Sequence, residues 1–544
     1  MKRLALALTA VALAAGTLSP AHASKPAPDG PLAGGADLQA ALDFEQRMGD
    51  LSLHEGHAVP INLDASGHVV STEGWGDSGL WTGVYEGGEA MRYAVAKSNL
   101  ATSHGHEAHF WQDQKDAALA RLRITLAAEH RDIVIAQDWN GTLKVPPTIN
   151  TGTDPTGEKH LADFGGGIIP GQVGMIMRAC TPVGQGPLGI SDPTMDAANP
   201  VNNNSNRVFR ITWKHGDGRT YNCETSPSRD TYAGVIFGLL TSFDLIGNDA
   251  PELRTQIRDD LVAMGDFLIK YGWSYPRPHG YVSAKHDFDG AISPLFVQVP
   301  MARLNLTNAV KHVLDAMGPS DEQSKWTGIW SEELGSQGAS LAGSMQVDVA
   351  QPNDGYYKFN LHHLNGFNLM RTLTGPARDV VGQGLSVMDK TTGDDLNAHF
   401  EAITYSMTGD ASRLSAAVTH LRQWRDYKSR VESGAAENNS AHCGTTITCV
   451  PKDQYGVVGP TGEVDWMPGT SKSLRANRPL PVVDRAPSDF IWQREPTILD
   501  GQEAATHREP AIDYLTPYWM IRYFTEVAPP AATPLPTWPG PAHV

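Results

Sequence analysis

Hydrophobic positions recur along most of this chain at spacings of three and four. Such runs fall near residues 37–49, 78–97, 111–129, 231–246, 251–271, 294–317, 358–374, 377–390, 395–408, 411–430 and 510–526. That period predicts helices with one face, or all faces, buried. Strand-like alternation is scarce and short. "VFRITWKHGDGRTYNCE" (208–224) alternates around a glycine-containing turn and predicts a β-hairpin. "RDIVIAQDWNGTLKVPP" (131–147) carries a second hairpin signal. Residues 431–500 are rich in Gly, Pro and Ser and predict long loops, which often build sites on a rigid scaffold.

Two kinds of helix alternate. One is apolar nearly all round and carries a glycine near its start, as in Trp81-Thr-Gly83, Tyr232-Ala-Gly234 and Leu364-Asn-Gly366. Asp77, Asp230 and the pair His362/His363 stand just before these glycines. Six helices of this kind are expected to start near Asp77, Asp230, Ser293, Lys358, Asp395 and Glu509, with Pro294 and Pro510 in the first turn, where proline is tolerated. The other kind, such as "ELRTQIRDDLVAMGDFLIKYG" and "ASRLSAAVTHLRQWRDYK", is amphipathic. The alternation predicts a mainly α fold, an (α/α)6 toroid with short β-hairpin insertions and a loop-rich segment near 431–500. Inner helices of such a toroid pack on both flanks. Gly83 and Gly87, one turn apart, are expected to admit a neighbouring helix, although each is disfavoured by about 1 kcal/mol relative to Ala in a helix.

The ends of the chain change the picture of where it works. "MKRLALALTAVALAAGTLSPAHAS" has two basic residues, an apolar stretch and Ala-His-Ala, which predicts a secretory signal peptide over 1–23 cleaved near Ala23. Residues 24–36 then read as a linker, 37–527 as one toroidal catalytic domain, and 528–544 as a Pro-rich extended tail. No second long apolar run occurs, so no membrane span is expected. The four cysteines, Cys180, Cys223, Cys443 and Cys449, suit two disulfides in an exported protein. Of the three possible pairings, Cys180–Cys223 and Cys443–Cys449 close local loops and are preferred. The formal net charge of −17 argues against a nucleic-acid partner. A monomer is expected.

In a toroid the starts of the inner helices would surround one funnel. Acids there are stabilised by the helix dipole. Asp77 and Asp230 are the candidate pair for glycosidic bond hydrolysis, which needs one carboxyl to donate a proton and another to activate water or attack. Trp81, Arg229 and Tyr232 are expected to touch substrate. "YYKFNLHHLNGFNLMR" (356–371) gathers polar side chains at another helix start, with His362 and His363 as catalytic candidates and Tyr357 and Asn365 as substrate contacts. A His base with an amide and a tyrosine would also suit β-elimination of a uronate sugar. Trp492, Arg508, Glu509, Asp513 and Tyr518 complete the expected substrate-binding set. Glu86 and Glu89 lie too far down their helix to meet substrate, and Glu89 is expected to pair with Arg92 or Tyr93. "SHGHEAHF" (103–110) and "HDFDG" (286–290) resemble metal-binding fragments but lack HExxH and the remaining EF-hand ligands, so no metal is expected. No GxSxG, P-loop or GxGxxG after a strand occurs, and no cofactor is expected.

On its "GDSGLWTG", "SRDTYAG" and "LHHLNG" helix starts, the chain resembles the secreted (α/α)6-toroid carbohydrate-active enzymes. These include six-hairpin glycosidases, among them unsaturated glucuronyl hydrolases, and toroid polysaccharide lyases. The resemblance spans most of 37–527. It implies catalytic acids at inner-helix starts and an oligo- or polysaccharide substrate. The expectation is therefore a secreted glycoside hydrolase, with a polysaccharide lyase and a non-catalytic glycan-binding protein as alternatives.

Overall fold

The computed structural model describes residues 30–139, 171–192, 208–225, 227–270, 273, 275–276, 292–293, 300–337, 356–432, 443–445, 447–451, 455–458, 464–467, 474–482, 485, 495–498 and 506–537. Residues 1–23, where a signal peptide is expected, residues 24–29 of the linker, Asp287, Asp289, Trp492 and the side chain of Tyr357 lie outside the described residues. The structure is mainly helical. Its helices are α1 (Gly35–Arg47), α2 (Ser78–Leu100), α3 (His106–Val134), α4 (Arg229–Ile246), α5 (Pro251–Lys270) and α6 (Pro300–Met317). There follow α7 (Asp321–Gln337), α8 (Tyr357–Thr372), α9 (Gly375–Thr392), α10 (Ala398–Thr408), α11 (Ala411–Glu432) and α12 (Ile512–Arg522).

The even-numbered helices pack in sequence. α2 lies against α4, α4 against α6, α6 against α8, α8 against α10, α10 against α12, and α12 against α2. The odd-numbered helices back them: α3 packs on α2, α5 on α4 and α6, α7 on α6, α9 on α8, α11 on α10 and α12, and α1 on α12. Burial follows the same division. α10 and α12 bury every residue, whereas α3 and α5 bury one face and leave the other to solvent. Helices without a solvent face need no polar stripe, so their sequences read as nearly continuous apolar runs.

α2 and α4 run side by side in the same direction. A Cβ built on Gly79 would lie 2.9 Å from Thr231, one on Gly83 would lie 2.1 Å from the Gly234 carbonyl oxygen, and Ser242 donates 3.1 Å to Glu86. On its other flank, α2 accepts at the Val84 carbonyl from Thr516 of α12 at 2.9 Å. The starts of α2, α4 and α12 therefore lie at one end of the packed helices.

Small sheets decorate this frame. Ala179–Pro182 and Val208–Thr212 both pair antiparallel with Thr220–Glu224, so the expected 208–224 hairpin forms and gains a third strand. Ile61–Leu63 pairs with Val69–Thr72 and with His507–Arg508. In the loop-rich segment, Cys449–Pro451 pairs with Leu474–Ala476 and Tyr455–Val458 with Val464–Met467. Disulfides join Cys180 to Cys223 and Cys443 to Cys449. The tail packs on the helices through Thr533, whose N–H donates 2.8 Å to the Thr408 carbonyl. Among the described residues no helix is long and apolar enough to cross a membrane.

Several expectations change. The described part of 131–147 continues α3 and then a 3-10 turn (Ile135–Asp138), and Ile133 and Ile135 are buried there without forming a hairpin strand of their own. Ser293 lies in a strand paired with Tyr275, so it does not open a helix. α10 starts after Asn397, whose side chain accepts from the His399 N–H at 3.1 Å; Asp395 stands outside it. α12 starts at Ile512, beyond Glu509 and Pro510. α7 was not expected at all. Its two glycines and many polar residues hide a spacing of Trp326, Ile329, Trp330 and Leu334 that packs on the core.

Candidate active site

Asp77 closes a 3-10 turn, Trp75–Asp77, immediately before α2. Ser78 locks that turn by donating 3.0 Å to the Trp75 carbonyl. Asp77 occupies the N-cap position, yet its side chain makes no capping hydrogen bond. Asp230 is likewise no cap. Ser228 caps α4 in a reciprocal box with Thr231: the Thr231 N–H donates to Ser228 Oγ and the Ser228 N–H to Thr231 Oγ1, both at 3.3 Å. Both carboxyls are therefore spared the role that most often accounts for an acid at a helix start.

Close packing of α2 on α4 brings the two acids together. Burial pushes the Asp230 carboxyl up to about 7, and the negative charge of Asp77 adds to that push. Arg229 and Arg178 pull in the opposite direction. One Asp230 carboxyl oxygen, Oδ1, is buried without a hydrogen-bond partner. Asp77 is more open, its side chain 49% exposed. Partial burial raises its carboxyl above the usual range, and Arg178 draws it down.

Arg178 was not singled out in the sequence. It precedes the strand Ala179–Pro182, and its N–H donates 2.7 Å to the Glu224 carbonyl. Its guanidinium stands 3.6 Å from Asp77 and donates to the Gly76 carbonyl. A carboxyl oxygen of Glu224 also approaches, 3.4 Å from where a Cβ of Gly76 would lie. The usable signal was Cys180, two residues away, because a disulfide beside a charged residue anchors that residue in space.

A second cluster lies at the start of α12. His507 Nδ1 is 2.8 Å from Glu73, and its Nε2 bonds Glu509, whose carboxyl is fully buried. Glu73 lies four residues before Asp77, so the loop that carries Asp77 is also tied to the 507–509 segment. Arg508 donates 2.7 Å to the His507 carbonyl.

The remaining candidates are distributed elsewhere. Trp81 is 4% exposed and packs beneath Gly74; Tyr232 is 0% exposed within the helix packing. Neither presents a ring face to solvent. Arg229 is half-buried beside Asp230. Asp513 accepts 2.7 Å from Trp424 of α11, and Tyr518 donates 3.0 Å to the Leu32 carbonyl, so both serve the contact between α12 and its outer neighbours. His362 and His363 are buried. Burial holds His363 down to about 4, keeping it neutral; its Nδ1 lies 2.7 Å from the Phe359 carbonyl, and its ring stacks on Phe400 at 4.1 Å. Asn365 accepts 2.7 Å from Asn305 of α6. Asn365 thus faces α6 and His363 faces α10. A third raised acid, Asp395, is pushed to about 7 by burial and accepts 2.7 Å from Tyr356.

Glu86 and Glu89 sit deep in the packing. Glu89 pairs with Arg92 at 3.1 Å, and Arg92 also reaches Glu45 at 3.2 Å. Burial pushes Glu86 up to about 8. His104, His106, Glu107 and His109 are exposed around the start of α3. Among the described residues no group of three His, Cys, Asp or Glu side chains is arranged to hold a metal ion. The chain matches no protein-family model, no curated protein and no solved structure.

Proposed function

We propose that this chain is an exported enzyme that hydrolyses a glycosidic bond, with Asp230 as the proton donor and Asp77 as its ionised partner. The observation that carries this reading is two neighbouring carboxyls, spared from capping, whose surroundings differ. Asp230 is half-buried, with one oxygen, Oδ1, buried and unpartnered and its affinity for a proton raised to about 7. Asp77 is half exposed and faces an arginine. Two acids with environments that push them apart are the usual mark of an acid/base assignment. Asp230 would give its proton to the glycosidic oxygen as the bond to the anomeric carbon breaks. Asp77 would take a proton from the attacking water or bond to that carbon itself. Either route adds one water across the bond.

Each even-numbered helix packs on the next, and the last packs on the first. That order supports an (α/α)6 toroid with the acid pair at its mouth. The two disulfides suit an oxidising compartment. Burial of His362 and His363 weighs against elimination by a histidine base. The test is turnover of a polysaccharide panel by the full-length protein. New reducing ends without an unsaturated product support hydrolysis; an unsaturated product, or no turnover, refutes it.

A further inference from the structure

We propose that Arg178 is a positioning residue that decides which of the two carboxyls holds the proton, and that the disulfide-linked strand pair carrying Cys180 and Cys223 is the device that delivers it. This rests on reading Asp77 and Asp230 as the acid/base pair.

The backbone geometry fixes Arg178 from three directions. Its N–H bonds the Glu224 carbonyl at 2.7 Å. The strand beyond it runs in register with 220–224, with Ala179 opposite Glu224 and Cys180 opposite Cys223, and the disulfide closes that last pair covalently. Its own carbonyl lies against the first turn of α2, 3.5 Å from Ser78 Oγ and 3.1 Å from where a Cβ of Gly79 would stand. Gly79 therefore leaves room for the Arg178 backbone to reach the helix start.

From that anchor the guanidinium turns to Asp77 and the Gly76 carbonyl. It is 14% exposed against 49% for Asp77, so it stands behind the carboxylate and not in front of it. That placement suits a group that acts on Asp77 and leaves the outer side of the acid to substrate. Among the described residues the charged groups facing the pair are Arg178, just before its strand, Glu224 at a strand end and Arg229 from α4, with Ser228 as a further hydrogen-bond partner of Asp230. Arg178 acts on both acids. Among the described residues it is the positive charge that holds Asp77 down, whereas Asp230 answers more strongly to burial and to Asp77 itself.

The experiment is carboxyl-carbon NMR of aspartate-labelled full-length protein, with the two resonances assigned from Asp77→Asn and Asp230→Asn. Wild type is compared with Arg178→Met and Arg178→Lys. The expected result is a rise of about half a pH unit in the Asp77 midpoint in Arg178→Met, the size that a partly exposed ion pair supplies. Arg178→Lys, which keeps the charge, restores it. An Asp77 midpoint that does not move in Arg178→Met, or that moves equally in both variants, overturns the proposal. Should Arg178→Met fail to fold, the same midpoint is read in the double variant Cys180→Ser/Cys223→Ser, where release of the strand that follows Arg178 gives the same upward shift and an unmoved midpoint refutes it. These readouts need no substrate. Absence of any glycan turnover with the shift present would refute the hydrolase reading and leave the Arg178 assignment standing.

Discussion

Gly83→Ala is the substitution that most sharply probes how α2 and α4 meet. A Cβ at Gly83 would stand 2.1 Å from the Gly234 carbonyl oxygen, 2.3 Å from its carbonyl carbon and 2.7 Å from the Val235 nitrogen. Ordinary contact begins near 3.4 Å, so the helices must separate by more than 1 Å to accept one methyl group. The obstruction is backbone, which cannot rotate away as a side chain can. The approach is reciprocal: a Cβ on Gly234 would lie 2.4 Å from the Leu80 carbonyl oxygen and one on Gly238 2.6 Å from that of Gly83. Alanine gains about 1 kcal/mol of helix preference over glycine. Overpacking a tight contact costs about 1–3 kcal/mol and occasionally more. Here a whole helix pair must part, which would stretch the Ser242–Glu86 hydrogen bond of 3.1 Å, so the penalty falls at the upper end. The net expectation is a loss of about 2 kcal/mol or more. Gly328 is the control. It lies inside α7 with nothing within 4 Å of its added Cβ, so Gly328→Ala should gain up to about 1 kcal/mol. The assay is the urea-unfolding midpoint of wild type and both variants. A Gly83→Ala protein as stable as wild type would refute the close crossing and, with it, the reason the two acids are neighbours.

Two further outcomes follow from the same geometry. Asp230 has a raised affinity for protons in the folded state, so the fold loses stability as pH rises from near 4 to about 7. Asp230→Asn should therefore stabilise the fold at pH 8, by about 1–2 kcal/mol after solvent screening, and have little effect at pH 4; urea-unfolding midpoints at each pH check this. Removing the Cys180–Cys223 bridge, which spans 43 residues, should cost about 4 kcal/mol, against about 2 kcal/mol for Cys443–Cys449, which spans 6, in paired Cys→Ser variants compared by denaturation.

Much of the frame was legible because a helix buried on all sides and a helix buried on one side have different periodicities. The starts near Asp77, Asp230 and Lys358 follow from it, and so do the glycines of α2 and α4. The local disulfides were legible from spacing. The misreadings share one cause, which is that a pattern reports burial without naming the partner. Ile133 and Ile135 look like strand residues and are buried at the end of a helix and in the 3-10 turn that follows it. Trp81, Tyr232 and Tyr518 look like aromatics on a funnel wall, but all three are covered. Arg178 stands just before a strand, about 100 residues from Asp77 in sequence, and meets it only through tertiary folding. The hidden helix α7 shows the converse, since a weak apolar stripe suffices when one face alone must pack.

The most direct measurement of the central claim is the pH dependence of glycan cleavage by wild type, Asp77→Asn and Asp230→Asn, read by reducing ends and by ultraviolet absorbance together. The account predicts new reducing ends with no absorbance from an unsaturated product, activity falling as pH rises through about 7 as Asp230 loses its proton, and a loss of about 100-fold or more in each variant. Cleavage that yields an unsaturated sugar, or that survives both substitutions, would contradict it.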